Sequence, residues 1–378
     1  MKFFVLLLLL FSSLCFGASS STTNRLQHAF EEYLGLNFDK QLPGYAVGYF
    51  VEGESFIRTE GVRQLGSTEK IDENTVFRLA SVSKTFTPAA VAILGNKTLN
   101  FDSKITHYLS NLKLSHSEYQ SQLTIRHLLS HSSGMMPHSY TNLIEANVPY
   151  QKILKQLYKV DFICQPGKCY GYQNVIYSLV GDVITKASNS SYEKIVEDKL
   201  FTPLGMQRSS FGLKNFLAEQ NRATPHRHVG KGFWKAVVPK RNYYQLSPAA
   251  GVNASIKDMM QWLKAQLGHY PQVLTLNTLD TIQQPAIKTT RERAHFKKNS
   301  WKSASDPAYA LGWRTFKFKG ENGFVHHGGW VEGFRVEMVF NRRLDMGMVF
   351  LTHSEPRRVS DLVPRFIKLY LETFSIKP

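Results

Sequence analysis

Apolar and polar positions follow two different periodicities along this chain, one helical and one alternating. Residues 24–37 repeat apolar positions at helical spacing. Pro43 to Leu65 then alternates apolar and polar residues on either side of Glu52-Gly53-Glu54, which predicts a β-hairpin. A short apolar segment, Val76 to Leu79, leads into a second helical pattern that begins near Ser81. The start of the chain therefore predicts a helix, a hairpin, a strand and a helix, in that order.

The middle of the chain shows mainly the helical periodicity, and the end returns to strand patterns. From Asp102 to about Leu204 the periodicity is mainly helical, with breaks rich in Gly, Ser and Pro. Residues 309–353 return to strand patterns, the first over Tyr309 to Phe316, and Asp361 to Thr373 predicts a terminal helix. Strands at both ends with helices between them predict an α+β fold with a helical insertion. In this prediction the α/β part covers about 24–95 and 245–378, and the helical part covers about 96–244.

The first residues, 1–18, predict a secretory signal peptide. Met1-Lys2 supplies the charge, Phe3 to Phe11 the apolar stretch, and Ser12 to Ser19 the small residues at which such peptides are cleaved. An uncleaved membrane anchor is the alternative, but the apolar run is shorter than the roughly 18–20 residues that span a bilayer. We therefore expect a mature chain of residues 19–378 that is exported to a periplasm or secreted.

The cysteines agree with an exported protein. Cys15 would leave with the signal peptide, and Cys164 and Cys169 remain, separated by a turn at Pro166-Gly167. In an oxidising compartment, two such close cysteines predict a small disulfide loop. Two thiols without further cysteines make a poor zinc site, so we expect no metal here.

The chain is strongly basic, with 46 Lys and Arg residues against 29 Asp and Glu and a formal net charge of +17. One interpretation is a soluble basic protein; the other is attraction to an anionic cell-envelope surface, such as cell-wall polymers or phospholipid. No nucleic-acid-binding motif occurs, so nucleic acid is not an expected partner.

The spacing Ser-x-x-Lys has a chemical meaning. On a helix, residues three apart lie on one face, and a partly desolvated lysine can deprotonate a serine hydroxyl. The spacing occurs four times in this chain, at Ser67–Lys70, Ser81–Lys84, Ser110–Lys113 and Ser191–Lys194. Only Ser81 stands between a strand-like segment and a long apolar helix, Phe86 to Leu94.

A second candidate motif is Tyr172-Gln173-Asn174. It lies in a loop just before an apolar helical segment, unlike the other Tyr-x-Asn match at Tyr140–Asn142. A phenol can exchange a proton with the serine or with a leaving group, and an amide can hold a substrate carbonyl. A half-buried packing tyrosine is the alternative interpretation of Tyr172.

The third motif is His326-His327-Gly328-Gly329-Trp330. Glycines in a strand allow a ligand to approach the backbone, whose N–H groups can stabilise an oxyanion. The adjacent histidines are alternatively ordinary surface or core residues. No His-Glu-x-x-His occurs, so a zinc hydrolase is a poor match.

Together and in this order, the three motifs resemble those of the serine β-lactamase and penicillin-binding-protein superfamily. The resemblance is closer to the class C branch, which includes class C β-lactamases, D-alanyl-D-alanine carboxypeptidases and related esterases. It covers about residues 25–375 and implies an antiparallel sheet flanked by helices. Further similar segments are Leu123 to Gly134, Pro166-Gly167, Pro203 to Met206, Pro248 to Gly251 and Leu311 to Trp313.

The resemblance also implies a role for each site residue. Ser81 would be the acyl-accepting nucleophile, Lys84 its partner in proton transfer, and Tyr172 a general acid or base. Asn174 would contact the amide of the acyl group. The third motif, from His327 to Gly329 with the backbone N–H of Trp330, would bind substrate and help the N–H of Ser81 to hold the oxyanion.

Two departures from the family pattern bear on the substrate. His327-Gly328-Gly329 stands where class C β-lactamases usually have Lys-Thr-Gly, so the positive charge would be weaker and pH-dependent, and a hydroxyl is lost. These changes favour a peptidase or esterase over a β-lactam specialist. The Cys164–Cys169 pair is not a general family feature, and we predict that it stiffens the loop of Tyr172.

The sequence thus predicts an exported serine hydrolase that forms an acyl-enzyme at Ser81 and needs no cofactor. Candidate substrates are a β-lactam, a peptidoglycan-derived D-Ala-D-Ala peptide or a simple ester. The alternative is a catalytically weak penicillin-binding or interaction protein that retains the fold.

Overall fold

The structure is a computed structural model that describes residues 4–95, 99–230, 232–289 and 299–376. Its side chains are described from Ser21 onwards, with the exception of Asn299. The predicted signal peptide, residues 1–18, therefore lies outside the residues with described side chains. Within the described ranges, no helix has both the length and the apolar character required to cross a bilayer.

An eight-stranded antiparallel sheet forms the centre of the protein. The first and last strands along the chain are neighbours in it, because Tyr45 lies opposite Thr352. The predicted α+β fold, an antiparallel sheet flanked by helices, is confirmed. In spatial order the strands are β2 (Glu54–Gly61), β1 (Gly44–Val51), β13 (Met346–Thr352), β12 (Phe334–Asn341), β11 (Glu321–Val331), β10 (Arg314–Phe318), β9 (Ala304–Tyr309) and β8 (Ile287–Lys288).

One segment predicted as a single strand, Tyr309 to Phe316, contains a turn. β9 ends at Tyr309 and β10 begins at Arg314, and the N–H of Ala310 donates to the carbonyl of Trp313 at 2.7 Å. Gly312 has a φ of +74°, which a residue with a side chain adopts only at a cost. The turn escaped the pattern because its residues are themselves apolar and buried.

Helices cover both faces of the sheet. On one face, α1 (Phe4–Asn37) packs against α13 (Leu362–Thr373). Leu26, Phe30 and Leu34 recur every fourth position on α1 and are completely buried, and the Phe30 ring lies 4.9 Å from the ring of Phe366. This stripe explains the helical spacing over 24–37.

Helix α11 (Ile256–Leu267) packs against β1, β12 and β13 of the large sheet, and the remaining helices and two small sheets complete the structure. One of these sheets has the order β3, β7, β4, and the other is a hairpin of β5 and β6. The strands are β3 (Val76–Arg78), β4 (Ser210–Phe211), β5 (His226–His228), β6 (Trp234–Ala236) and β7 (Val252–Ser255). The helices are α2 (Phe86–Leu94), α3 (Ser117–Gln122), α4 (Ile125–Leu129), α5 (Thr141–Glu145), α6 (Tyr150–Leu154), α7 (Asn174–Ser188), α8 (Tyr192–Val196), α9 (Gly212–Ala218), α10 (Ser247–Ala250), α11 (Ile256–Leu267) and α12 (Leu276–Gln283).

The segment that carries Ser81 is held by β7. The N–H of Leu79 donates to the carbonyl of Val252 at 2.9 Å, and the N–H of Val252 donates to Ser83 Oγ at 3.0 Å. Ala80 has a φ of +48°, and its strained backbone redirects the chain from β3 into a 3₁₀ helix, Ala80–Thr85. The helix predicted from Ser81 therefore starts as a 3₁₀ turn and continues as α2.

Gly329 on β11 allows the large sheet to touch this segment. A Cβ atom at Gly329 would lie 2.3 Å from the carbonyl oxygen of Leu79 and 3.3 Å from the backbone nitrogen of Ser81. Real Cβ atoms do not approach so closely, so only glycine permits this distance between β11 and the 3₁₀ helix.

We expect Gly329→Ala to destabilise the protein by about 1–3 kcal/mol, the usual cost of overpacking a tight contact. The clash is with backbone, which cannot turn aside as a flexible side chain would. Denaturant unfolding would measure the change. Gly35→Ala on α1, whose nearest neighbour would be Asp39 Oδ2 at 3.5 Å, is the matched control and should stabilise by about 0.5–1 kcal/mol. Equal unfolding free energies for Gly329→Ala and wild type would contradict the close contact.

Candidate active site

Three residues of the predicted site meet in space although they are far apart in the chain. Tyr172 OH donates a hydrogen bond to Ser81 Oγ at 3.0 Å. Lys84 Nζ lies 3.4 Å from the same oxygen. The serine hydroxyl thus has one side chain that can donate a proton and one that can accept it.

The contacts of Lys84 suit a neutral amine. Its Nζ donates to Asn174 Oδ1 at 2.7 Å and to the carbonyl of Ala249 at 3.0 Å. A neutral amine has two N–H bonds and one lone pair, and these two acceptors occupy both N–H bonds. The lone pair is then left to face Ser81 Oγ, which can donate its proton to it.

Burial separates the proton affinities of the two partners of Ser81. Complete burial, with a smaller contribution from the charge of Arg314, holds the pKa of Lys84 well below its usual value. Burial raises the pKa of Tyr172 to about 12, against the opposing effects of its hydrogen bond to Ser81 and of Arg314. At neutral pH this favours an unprotonated amine beside a protonated phenol.

Helix α7 and its neighbours position the lysine. Asn174 is the first residue of α7, and its amide oxygen accepts from Lys84. Tyr177, one turn later, donates its OH to the backbone carbonyl of Lys84 at 2.7 Å. The sequence predicted a substrate contact for Asn174, and the structure adds this contact with the lysine.

Ser81 opens into a cavity of about 680 Å³ whose wall includes an open edge of β11. β10 pairs with β11 only as far as His326, so Gly328, Gly329 and Trp330 have β12 on one side and the cavity on the other. The Trp330 side chain is 63% exposed at the cavity mouth. This edge is where the sequence predicted the oxyanion-binding N–H, which remains a prediction.

The structure places the imidazole of His327 in the interior. The ring is 1% exposed, its Nδ1 donates to the carbonyl of Gly328 at 2.8 Å, and its Nε2 accepts from Tyr309 OH at 2.9 Å. Burial, and then the charge of Arg314, keep its pKa well below the usual value. The side chain is therefore neutral at neutral pH, unlike the pH-dependent charge expected from the sequence.

Arg314, which the sequence reasoning missed, supplies a cation to the cavity wall. It is the first residue of β10 and lies opposite His326 in the sheet. Its guanidinium carbon is 5.9 Å from the Tyr172 ring centroid and 5.7 Å from that of Tyr309. The only signal in the sequence was its position directly after the Leu311 to Trp313 segment.

A carboxylate occupies the space next to Gly328. Glu337 lies opposite Gly328 in the β11–β12 pair, and a Cβ at Gly328 would be 2.8 Å from Glu337 Oε2. That oxygen accepts from His326 Nε2 at 2.7 Å, and Glu337 Oε1 accepts from Arg335 at 3.1 Å. Glycine at this position thus makes room for a buried carboxylate in the cavity wall, paired with Arg335.

Cys164 and Cys169 form the predicted disulfide, with an S–S distance of 2.01 Å. The loop they close is bound to the chain just after α4, because the N–H of Gly167 donates to the carbonyl of Ser132 at 2.7 Å. Tyr172 follows Cys169 by three residues. The disulfide therefore lies beside the segment that carries the phenol.

Metal ligands are not concentrated in the cavity. Within the described ranges, His, Cys, Asp and Glu form no group of three or more with the arrangement of a metal site. Two buried histidines, His226 and His353, lie with their Nδ1 atoms 2.9 Å apart, but neither lines the cavity. The groups around Ser81 are instead those of hydroxyl and amine chemistry.

Comparisons with known proteins identify the family to which the chain belongs. A model of the beta-lactamase family matches residues 26–372. The chain is 24% identical over 354 residues to Protein flp of Staphylococcus aureus (strain N315). The alignment covers 90% of this chain and 66% of that protein. It is also 25% identical over 303 residues to Beta-lactamase-like protein 2 of Dictyostelium discoideum, and that alignment covers 75% of this chain and 52% of that protein. The chain thus spans only about half to two thirds of the length of these curated relatives.

The fold is also similar to a solved structure, that of the octameric penicillin-binding protein homologue from Pyrococcus abyssi. The TM-score is 0.76 with 22% sequence identity, over 92% of this chain and 77% of that chain. At this identity the similarity shows the fold alone. The superfamily predicted from the sequence motifs is confirmed, and because the family model matches most of the chain, the protein belongs to the beta-lactamase family.

Proposed function

We propose that the protein is an exported serine hydrolase that forms an acyl-enzyme at Ser81. The observation that carries this proposal is the position of Ser81 Oγ, 3.4 Å from Lys84 Nζ and 3.0 Å from Tyr172 OH in a wall of the cavity. A packing role explains neither the buried amine nor its alignment on a hydroxyl. Proton transfer to a positioned base is what turns a serine into a nucleophile.

In acylation, Ser81 Oγ forms a bond to the substrate carbonyl carbon while its proton passes to the lone pair of Lys84. The carbonyl oxygen becomes an oxyanion, for which the N–H groups of Ser81 and Trp330 are the proposed donors. When the intermediate collapses, the bond to the leaving group breaks. The leaving nitrogen or oxygen takes a proton from Tyr172 or from the Lys84 ammonium.

In deacylation, water attacks the ester of Ser81. Lys84 and Tyr172 take the proton from that water and return a proton to Ser81 Oγ, so the enzyme regains its starting state. The cycle needs an amine, a phenol and a hydroxyl, and we propose that it uses no cofactor.

The cavity favours an ester or amide substrate with an anionic group. The guanidinium of Arg314 in the cavity wall suits a carboxylate, whereas the buried imidazole of His327 does not. A carboxylate is present in β-lactams, in D-Ala-D-Ala peptides and in some esters. The substrate is proposed to belong to one of these three classes.

The alternative remains a penicillin-binding or interaction protein with little turnover. The Pyrococcus abyssi protein of similar fold is described as a penicillin-binding protein homologue. A protein that is acylated at its serine but deacylates slowly would bind penicillin with little turnover. Labelling at Ser81 with slow release of product would favour this alternative over a hydrolase.

Export is proposed from the N-terminal pattern of residues 1–18 and from the disulfide. Disulfides persist in oxidising compartments such as a periplasm or the extracellular space. The net charge of +17 would favour contact with an anionic envelope surface there.

We expect a fluorescent penicillin or a fluorophosphonate to label the wild-type protein at Ser81 and to leave Ser81→Ala unlabelled. Loss of the base in Lys84→Met should slow labelling by about 10²- to 10⁴-fold. Gel fluorescence and intact-mass spectrometry would measure the adduct. Hydrolysis of nitrocefin, of a p-nitrophenyl ester and of a D-Ala-D-Ala peptide would then rank the substrates.

Ser110→Ala is the matched control for labelling, because Ser110 begins another Ser-x-x-Lys match and lies exposed on the surface. It should be labelled like wild type. A wild-type protein that is folded by circular dichroism yet unlabelled by both reagents would contradict the proposed function.

The pH dependence should report the amine of Lys84. We expect kcat/KM to fall as the pH is lowered through the pKa of Lys84, because protonation removes the lone pair that accepts the serine proton. Since Arg314 helps to lower that pKa, Arg314→Gln should move this acid limb to higher pH. An uncharged ester substrate would separate this effect from substrate binding. Arg227→Gln, at an exposed position, is the control. An acid limb that stays in place or moves to lower pH in Arg314→Gln would refute the assignment of that limb to Lys84.

Opening the disulfide should impair the site rather than the fold. We expect the Cys164→Ser/Cys169→Ser double variant, or the reduced wild type, to lose between about twofold and 100-fold in kcat/KM, since small displacements of a catalytic group cost this much. Mass spectrometry would verify reduction, and thermal unfolding would verify that the protein is folded. Unchanged kinetics after complete reduction would contradict the predicted stiffening of the Tyr172 loop.

A further inference from the structure

His131 is a buried residue just after α4 that contacts the Tyr172 segment in three ways. The N–H of Gly171 donates to the main-chain carbonyl of His131 at 2.8 Å, and the N–H of Gln173 donates to His131 Nδ1 at 3.2 Å. The imidazole ring lies 4.2 Å from the Tyr172 ring, centroid to centroid, with the planes tilted by 41°. One histidine thus holds the residue before the phenol, the phenol itself and the residue after it.

The hydrogen bond from Gln173 assigns the tautomer of His131. Nδ1 accepts, so it carries a lone pair, and the single proton of a neutral ring is on Nε2. Burial holds the pKa of His131 well below its usual value, the Arg314 cation acts in the same direction, and both agree with a neutral ring.

The neutral imidazole is a costly choice if only volume is required. Its Nε2 is buried and has no hydrogen-bond partner among the described residues. An apolar side chain would occupy the same space without burying an unpaired N–H group. What the imidazole adds is the acceptor at Nδ1, which binds the backbone next to Tyr172.

The ring also contacts two further tyrosines of the site. It lies 5.1 Å from the ring of Tyr177, whose OH donates to the Lys84 carbonyl, and 4.9 Å from that of Tyr309, whose OH donates to His327. The backbone of His131 has a φ of +54°, a strained value for a residue with a side chain. The chain accepts this strain where the ring can contact all three phenols.

We infer that His131 is the positioning residue of the Tyr172 phenol. It does not line the cavity, so it acts through Tyr172 and not on the substrate. Its neutral ring keeps Tyr172 OH at 3.0 Å from Ser81 Oγ, where the phenol can pass its proton to a leaving group. This inference rests on the proposed function, because it assigns a role in the same proton transfer.

A positioning role makes a prediction that simple stabilisation of the fold does not. A p-nitrophenolate leaves without needing a proton, whereas an ethoxide must be protonated as it leaves. Displacement of the phenol should therefore slow ethyl ester cleavage much more than p-nitrophenyl ester cleavage. A general loss of folded protein would slow both reactions equally.

The experiment compares two variants on p-nitrophenyl and ethyl esters of the same acyl group. His131→Phe keeps the ring and removes the acceptor, whereas His131→Asn keeps an acceptor at the position of Nδ1 and tolerates the left-handed backbone. Both esters form the same acyl-enzyme, so the comparison uses kcat/KM, which reports acylation, the step in which the leaving group departs. We expect His131→Phe to lose about 10- to 100-fold in kcat/KM on the ethyl ester and less than about threefold on the p-nitrophenyl ester. His131→Asn should recover most of the ethyl ester activity, and Tyr172→Phe should show the same leaving-group pattern as His131→Phe.

The exposed His107→Phe is the control and should match wild type. Equal losses on the two esters, or wild-type kinetics in a folded His131→Phe, would overturn the inference. Should His131→Phe fail to fold, His131→Asn and His131→Ala are compared on the same two esters. A larger loss on the ethyl ester than on the p-nitrophenyl ester in His131→Ala, but not in His131→Asn, would support the inference. Identical behaviour of the two variants would refute it. A wild-type protein that cleaves neither ester and is not labelled at Ser81 would instead refute the proposed function together with this inference.

Discussion

The arrangement of the site depends on one buried amine. Lys84 is completely buried, and its nearest partners are an amide oxygen, a backbone carbonyl and a hydroxyl, none of which carries a charge. A charged ammonium would be poorly stabilised there, so the amine is driven to its neutral form. The same burial that deprotonates Lys84 keeps Tyr172 protonated, and this difference gives the two partners of Ser81 opposite tasks.

The scaffold maintains this burial by accepting strain and close contact around the 3₁₀ helix. Ala80 has a left-handed backbone, and Gly329 brings the sheet against Leu79 and Ser81. On the opposite side, α7 contributes Asn174 and Tyr177 to the lysine. Ser81 thus lies where the large sheet meets the helical layer, and neither layer could form the site alone.

Periodicity and motif order were sufficient for the fold class and for bringing Ser81, Lys84 and Tyr172 to one place. They could not separate His326 from His327, because adjacent residues on a strand face opposite sides and only packing decides which side is the cavity. His326 lines the cavity, whereas His327 is buried against Tyr309. Arg314 was missed because it belongs to no motif, and it enters the site only because β10 begins beside His326. The roles of the site residues remain predictions.

The packing around β11 explains how the third motif differs from Lys-Thr-Gly. In the usual Lys-Thr-Gly arrangement, β11 would carry its own cation and hydroxyl. In this chain, Gly328 leaves room for Glu337, which pairs with Arg335, and Arg314 of the neighbouring strand supplies a further cation to the cavity wall. A guanidinium does not titrate in the accessible pH range, whereas a histidine would. For the proposed anionic substrate, binding should therefore vary little with pH, and Lys84, whose pKa the same guanidinium lowers, should determine the pH dependence of the proposed reaction. One arginine would thus couple attraction of the substrate to activation of the base.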